Sequence, residues 1–245
     1  MANLYNDELA STYDAMYQGF IDYTKEYKFY ASLCARYNSK TILEIACGSG
    51  NLAKPFSQNF NSYTGLDLSD AMLNIAQKKH PMGTFLKGDM RDFKSSVFYD
   101  SILITGRSTS YLLSDVDVLN TLESVYNTLE PNGVFIFDFI DAERFLPFVK
   151  ANKHITHKSE YMGKHYFRKS QWVQKTDSNL IDWNADYYSV KNNKNVFLGN
   201  DTSTFRCFSS KEILLFLSKK GLKVVELVNR KTYAFDTYVI VCKKI

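Results

Sequence analysis

The chemistry in this chain is most readily read from a pair of glycines and a few acids. Gly48 and Gly50 follow the apolar run Ile42, Leu43 and Ile45, the pattern of a buried strand that enters a glycine turn and opens a helix. Two glycines two apart let the backbone take φ > 0 and let a ligand approach the main chain without meeting a Cβ. The N-terminus of the next helix offers unpaired N–H groups and a positive dipole end to a carboxylate or phosphate. Gly48, Gly50 and Ala53 satisfy the loose dinucleotide fingerprint, although any tight strand-to-helix turn also favours glycine. Asp67 and Asp89 each close a strand-like run. An acid after the second strand suits the two hydroxyls of an adenosine ribose. Asp89, in Gly88-Asp89-Met90, can accept from an exocyclic adenine amine while Met90 packs on the ring. Glu44 lies inside its strand, where it either serves a ligand or bonds neighbouring backbone.

These residues need a scaffold, and the pattern supplies one. Residues 1–39 read as helical, with Leu9, Tyr13, Met16 and Tyr17 at three-to-four spacing and a second run from Ile21 to Tyr37 after Gly19. Asn51 to Asn59 is a short helix and Ser62 to Leu68 a second strand. Ser69 caps a helix through Lys79, which Pro81 stops. Thr84 to Gly88 and Ser101 to Thr105 are further strands. Ser114 caps a helix to Leu129, and Pro131-Asn132-Gly133 turns into a strand from Val134 to Ile140. Apolar strands alternating with helices predict a parallel sheet covered on both faces. Ligands of such sheets sit beyond the carboxyl ends of the strands, where Asp67, Asp89 and the loop from Gly106 to Tyr111 converge.

From His154 to Arg206 the pattern changes to strand-like segments, with Phe167, Trp172 and Val173, then Ile181, Trp183, Tyr187 and Tyr188, separated by the turn signal Thr176-Asp177-Ser178-Asn179. This predicts a small antiparallel β insert. Ser209 and Glu212 form a capping box opening a helix that ends at Gly221. Leu222 to Val228, a turn at Asn229-Arg230-Lys231, and Tyr233 to Cys242 then predict a terminal hairpin, which must pair antiparallel. The fold expected is α/β: a Rossmann-like, mostly parallel seven-stranded sheet with helices on both faces, the terminal hairpin and the β insert. It forms one domain over residues 1–245.

Composition narrows the function classes. The 245 residues carry a net charge of +4 without a dense basic run, too mild a balance to indicate nucleic acid. Four scattered cysteines without C-x-x-C spacing indicate neither a metal site nor a disulfide framework and fit a reducing compartment. No apolar run reaches the length of a membrane span and no leader is evident, so a cytoplasmic protein without membrane partners is expected. Aromatic residues make up 15% and crowd into the N-terminal segment and the region after residue 160, as core or as pocket walls.

Four stretches together resemble the class I S-adenosylmethionine (SAM)-dependent methyltransferases. They are Leu43-Glu44-Ile45-Ala46-Cys47-Gly48-Ser49-Gly50, Thr64 to Leu73, Gly88-Asp89-Met90-Arg91-Asp92-Phe93, and Leu129-Glu130-Pro131-Asn132-Gly133. Ala46 departs from the glycine that many members carry, a small-for-small change expected to cost little, and Ser49 stands where threonine is frequent. The layout, with its antiparallel insert, is similar to that of the small-molecule N-methyltransferases, amino-sugar N,N-dimethyltransferases among them. The resemblance implies SAM as cofactor and S-adenosylhomocysteine (SAH) as product. It implies Glu44 among the cofactor-binding residues, the backbone of Ala46, Gly48 and Gly50 at the methionine moiety, Asp67 at the ribose, Leu68 and Met72 beside the adenine, and Asp89 and Met90 reading it. Thr105 and Gly106 would face the sulfonium, Ser110 and Tyr111 the substrate, and Tyr13 and Tyr23 would close over the cofactor, with residues 1–39 as a lid and 154–206 as a substrate cap.

The reaction expected is methyl transfer to a small-molecule acceptor, at nitrogen, by in-line displacement. Because the sulfonium already leaves well, positioning carries the rate, and a base is useful rather than obligatory. Tyr13, His154 and Tyr188 head the candidates for such a base, with His157, His165 and Asp201 beside them; solvated histidines in a basic stretch are the competing reading. His154-x-x-His157 lacks further metal ligands. Arg206 either pairs with an anionic group of the substrate or with a sheet neighbour. Two other functions fit parts of the pattern: a nicotinamide-dependent oxidoreductase, which Asp89 and the hairpin oppose, and a non-catalytic protein that senses SAM or SAH. The chain is expected to be a monomer or homodimer.

Overall fold

The computed structural model describes residues 7–176, 178–232 and 235–244. Asp177 of the expected turn and Tyr233, the expected start of the last strand, lie outside the described residues. Helices α1 (Asp7–Phe20) and α2 (Tyr23–Arg36) come first. Then β1 (Thr41–Ile45), α3 (Ala53–Asn59), β2 (Ser62–Asp67), α4 (Asp70–Lys79), β3 (Thr84–Lys87), β4 (Tyr99–Ile104), α5 (Asp115–Thr128) and β5 (Leu129–Phe139) alternate. After α6 (Ala142–Ala151) come four strands, β6 (His154–Tyr161), β7 (Lys164–Gln174), β8 (Leu180–Lys191) and β9 (Lys194–Arg206). The described chain closes with α7 (Ser210–Lys219), β10 (Leu222–Arg230) and β11 (Thr237–Lys244).

The main sheet has seven strands in the order β3-β2-β1-β4-β5-β11-β10. All its pairings are parallel except β5–β11 and β10–β11. The strand order reverses between β1 and β4, so the crevice where ligands bind in such sheets opens beyond Ile45 and Ile104. Both faces are buried, and successive residues feed two different cores. Leu43, Ile45, Ile102, Ile104, Phe135 and Phe137 pack with residues of α5 and α7. Ile42, Leu103, Val134 and Ile136 pack with Tyr30, Leu33 and Phe56 of α2 and α3. This two-sided burial is why the strands read as continuous apolar runs.

The second sheet is an antiparallel meander in the order β6-β7-β8-β9. Its inner face places Ile181, Trp183, Ala185 and Tyr187 of β8 in a third core with Leu9 and Met16 of α1 and Phe145 and Val149 of α6. The N-terminal helix is therefore clasped to this sheet. Gly19 does not break the helix, as the two expected runs implied; it lies inside α1, and the chain turns at Ile21 and Asp22. A Cβ on Gly19 would stand 2.1 Å from Ser159 Oγ and 2.5 Å from the Glu160 carbonyl, so glycine is what lets β6 cross the helix. The helix α6 has no counterpart in the sequence reading, which Pro147 within it obscures. Its signal is Asp141, whose side chain caps it, followed by Ala142, Phe145 and Val149 on one face. Among the described residues no helix is long and apolar enough to cross a membrane.

Candidate functional site

Beyond β1 the backbone turns through three left-handed residues, Ala46 (φ 56), Gly48 (φ 54) and Gly50 (φ 70). The glycines do different work. A Cβ on Gly48 would meet nothing within 4 Å, so that position leaves room for a ligand against the main chain. A Cβ on Gly50 would lie 2.9 Å from Ala76 Cβ and 3.2 Å from Phe85, so Gly50 packs the turn on α4 and β3. Gly50 is not among the residues that border the two cavities described below. Ala46 has a Cβ in a region that costs an L-residue roughly 1–2 kcal/mol, so the change from glycine is not a cheap one.

Asp67, at the end of β2, holds this turn. Its Oδ2 accepts from Gly48 N at 2.7 Å and its Oδ1 from Ser69 N at 2.9 Å. Burial raises its carboxyl above the ordinary range, against the pull of those backbone donors. Glu44 is buried on β1, accepting from Tyr63 Oη at 2.6 Å and Thr105 Oγ1 at 3.2 Å. Burial lifts its pKa to about 7, and these side-chain donors rather than backbone hold it. The loop after β4 adds two more left-handed residues, Gly106 (φ 67) and Arg107 (φ 65), pinned by Arg107 N donating to Asp138 Oδ1 at 2.7 Å.

Two adjoining cavities open at this edge. The larger, about 630 Å³, is bordered by Asp67, Leu68, Met72, Asp89 and Met90. The smaller, about 330 Å³, is bordered by Tyr23, Glu44, Thr105, Gly106 and Ser110. Tyr13, Ala46, Gly48, Ser108 and Tyr111 border both, so the two are halves of one cleft that meet over the glycine turn. Asp89 lies in the wall with both carboxylate oxygens accepting from Arg91, which holds its pKa below the usual range. Ser110 Oγ accepts from Ile140 N at 3.1 Å.

Three expected residues lie elsewhere. His154 is exposed at the start of β6, and it is His157 that borders the smaller cavity. Alternation along a strand explains this, since residues three apart point to opposite faces. Burial, and then Arg168, lower the His157 pKa to about 4, so its imidazole is neutral. Tyr188 stacks on Phe167 at 4.7 Å with Phe197 beside it, on the face opposite Trp183 and Tyr187. Arg206 pairs with Asp115 at 2.7 Å and with Glu212, tying β9 to α5 and α7, and borders neither cavity. Its expected contact with substrate gives way to the sheet-neighbour reading.

Several residues of the smaller cavity's wall were not named as site residues from the sequence. Phe145 and Phe148 of α6, Trp172 and Trp183 of the second sheet, and Phe235 surround it. Arg168 reaches it from β7. Asp182, Asn184 and Thr202 of the same sheet border the larger cavity. The polar ties of α1 to the turn were not named either: Asp14 accepts from Ser49 Oγ and Lys79 Nζ, each at 2.6 Å.

Residues 42–133, which hold the glycine turn at the switch point and the acid at the end of β2, match the family model described as a methyltransferase domain, and the terminal antiparallel hairpin completes a Rossmann-like frame around them. Particular relatives sharpen the class. The chain is 31% identical over 137 residues to the dTDP-3-amino-3,6-dideoxy-alpha-D-glucopyranose N,N-dimethyltransferase of Streptomyces fradiae, covering 55% of this chain and 54% of that one. It is 31% identical over 138 residues to the dTDP-3-amino-3,4,6-trideoxy-alpha-D-glucopyranose N,N-dimethyltransferase of Streptomyces venezuelae, covering 55% and 58%. The chain thus spans little more than half the length of these curated relatives. Among solved structures, Streptomyces venezuelae DesVI superposes with a TM-score of 0.84 at 24% identity, over 96% of this chain and 98% of that one. CalS10, an amino pentose methyltransferase from Micromonospora echinaspora solved with SAM bound, superposes with a TM-score of 0.78 at 18% identity, over 94% and 96%. At these identities the superpositions establish the fold.

Proposed function

We propose that the protein is a SAM-dependent methyltransferase acting on the amine nitrogen of a small molecule of the amino-sugar class. The observation that carries this reading is the two-part cleft meeting at Gly48. The larger half has a half-buried acid, Asp67, on one wall and apolar Leu68, Met72 and Met90 around it, which suits a nucleoside. The smaller half is walled by aromatic rings and opens beside Thr105 and Gly106. The relatives' amino-sugar names support the acceptor class.

The residues present fit such a cofactor. Asp67 would hold the ribose hydroxyls, Leu68, Met72 and Met90 would flank the base, and the open space at Gly48 would take the methionine moiety, with Glu44 facing the same cavity. When bound, SAM supplies a methyl group on a cationic sulfur that leaves readily. The chain's own task is to hold an amine in line and exclude water, and positioning of this kind can supply roughly 7–11 kcal/mol. Tyr13, Tyr17 and Phe20 of α1 form one wall, so this helix would act as the lid, and the β6–β9 sheet with α6 as the cap over the acceptor. The amine must arrive neutral, and His157 is too weak a base to make it so, because burial and Arg168 both oppose an imidazolium.

A thermal-shift titration with SAM, SAH and NADH in parallel tests the cofactor. Ligand at ~100 times its dissociation constant adds about 2.7 kcal/mol to stability. SAM and SAH are expected to raise the midpoint and NADH to leave it unchanged. Mass spectrometry of amino-sugar acceptors incubated with SAM then reads the transfer as a gain of one methylene per step. A rise with NADH alone overturns the reading in favour of a nicotinamide enzyme, and SAM binding without transfer to any amine favours a sensor.

A further inference from the structure

Arg168 of β7 is 7% exposed and borders the smaller cavity, yet it takes part in no ion pair among the described residues. Its Nη1 donates to Tyr17 Oη at 2.9 Å and its Nη2 to His157 Nδ1 at 3.3 Å, neither of them a carboxylate. Its Nε is buried without a hydrogen-bond partner, and so are Ser170 Oγ and Trp183 Nε1 on the same face of the sheet. The acids of the cavity are engaged elsewhere: Glu26 with Arg230 at 2.7 Å, and Glu44 with Tyr63 and Thr105. Asp201, buried on the neighbouring strand β9, bears electrostatically on Tyr187. Exposed Lys158 borders the same cavity, adding to the positive charge on this wall.

A guanidinium buried without an anion is expensive for a fold, and replacing such a charge by an apolar side chain is often stabilising. Here the fork is held in place by Tyr17 and His157 with donors to spare, beside a cavity of ligand size. Guanidinium groups recognise carboxylate and phosphate oxygens by paired, charge-assisted hydrogen bonds. We propose that Arg168 binds an oxyanion of the acceptor, a phosphate or a carboxylate, and so positions the amine in the cavity. This rests on the methyltransferase reading for the identity of the ligand as acceptor, while the presence of an anion site stands apart from it. A nucleotide-linked sugar would supply the oxyanion as phosphate, and an amino acid or sugar acid as carboxylate.

The test measures thermal shift and calorimetric affinity for the full chain, alone and saturated with SAH. The probes are thymidine diphosphate, γ-aminobutyrate and, as the uncharged control, thymidine. The expected result is binding of one of the two anions, the diphosphate marking a nucleotide-linked acceptor and γ-aminobutyrate a carboxylate one, with thymidine weaker by about tenfold or more. In Arg168→Met the anion affinity falls by about tenfold or more, as for a lost charged hydrogen bond. In the same variant the SAH affinity stays within about twofold, and the ligand-free midpoint is equal to or above that of the unaltered protein. Arg168→Lys, which keeps the charge but not the fork, retains part of the anion affinity. The proposal is overturned if the unaltered protein binds neither anion, if Arg168→Met binds it undiminished, or if that variant melts well below the unaltered protein or fails to fold, which would make the guanidinium a structural tie. Failure of SAH to bind would instead sink the cofactor reading, and the anion titrations of the protein alone would still decide the role of Arg168.

Discussion

The two halves of the cleft are built in opposite ways. One wall of the larger half hangs from one stretch of chain: the glycine turn, Asp67 and Gly88-Asp89-Met90 all follow consecutive parallel strands, and backbone N–H groups of Gly48 and Ser69 fix Asp67, while Tyr13, the β4 loop and the second sheet complete the rest. The smaller half is assembled from remote pieces, α1, the β4 loop, α6, the second sheet and Phe235, joined by apolar packing. Local backbone geometry specifies the first, so little variation is tolerated there. Side-chain packing specifies the second, whose shape can change while the frame stays the same. Glu44 and Thr105 sit where the halves meet, and substitutions on either side of that line sharpen the contrast.

The largest effect is expected at Glu44. Its folded pKa of about 7 stands above the ordinary value of 4.5, so between those pH values the folded state binds more protons than the unfolded one. Stability then falls as pH rises through that window and levels off above it, by up to ~3 kcal/mol for a shift of this size. Glu44→Gln should remove most of that slope and melt higher than the unaltered protein at pH 8. Denaturation at a series of pH values checks this, and an unchanged slope would show that Glu44 ionises normally. Next comes Asp67→Ala, which removes the partner of Gly48 N along with the carboxylate proposed to hold the ribose. SAH affinity should weaken by roughly 1–3 kcal/mol, read by calorimetry. Unchanged affinity would break the assignment of the larger half as the nucleoside site.

Ala46 gives a smaller effect of opposite sign. Its left-handed φ of 56 penalises the Cβ, while glycine costs more entropy on folding. Ala46→Gly should therefore stabilise the protein by a net ~0.5–1 kcal/mol, measured by urea denaturation, and a loss of stability would mean that the alanine methyl packs against something worth more than its strain.

What could be read in the sequence follows the same division. The parallel sheet, the terminal hairpin and the residues at the strand ends were legible because each depends on a local signal: a glycine, an acid or a cap. The wall of the smaller cavity was not, because it depends on which face of each strand turns inward, and that is set by tertiary packing. Yet a partial signal existed. Trp183 and Tyr187 are an even number of residues apart, and Tyr188 is odd with respect to both, so period-two alternation separates them once the strand is recognised. The same parity separates His154 from His157. Arg168 carried no such mark, since only the register of Phe167↔Tyr188 and Arg168↔Tyr187 reveals which of the two neighbours faces the cavity.

The smallest effect tests that parity directly. Tyr188 lies between Phe167 and Phe197 on the outer face of the second sheet, with Lys169 Nζ 5.5 Å from its ring. Tyr188→Phe keeps the stack and removes only the hydroxyl, so stability should change by less than about 0.5 kcal/mol, and methyl transfer should be unaltered at every pH. Trp183→Phe, one face away and only five residues earlier, changes the wall of the cavity and should raise KM for the acceptor while leaving SAH affinity intact. Measuring both variants with one acceptor places the division inside a single strand. If Tyr188→Phe lowered kcat and changed its pH profile while Trp183→Phe did neither, the outer face would be the one that meets the substrate, and the acceptor half would have to be sought on the other side of the sheet.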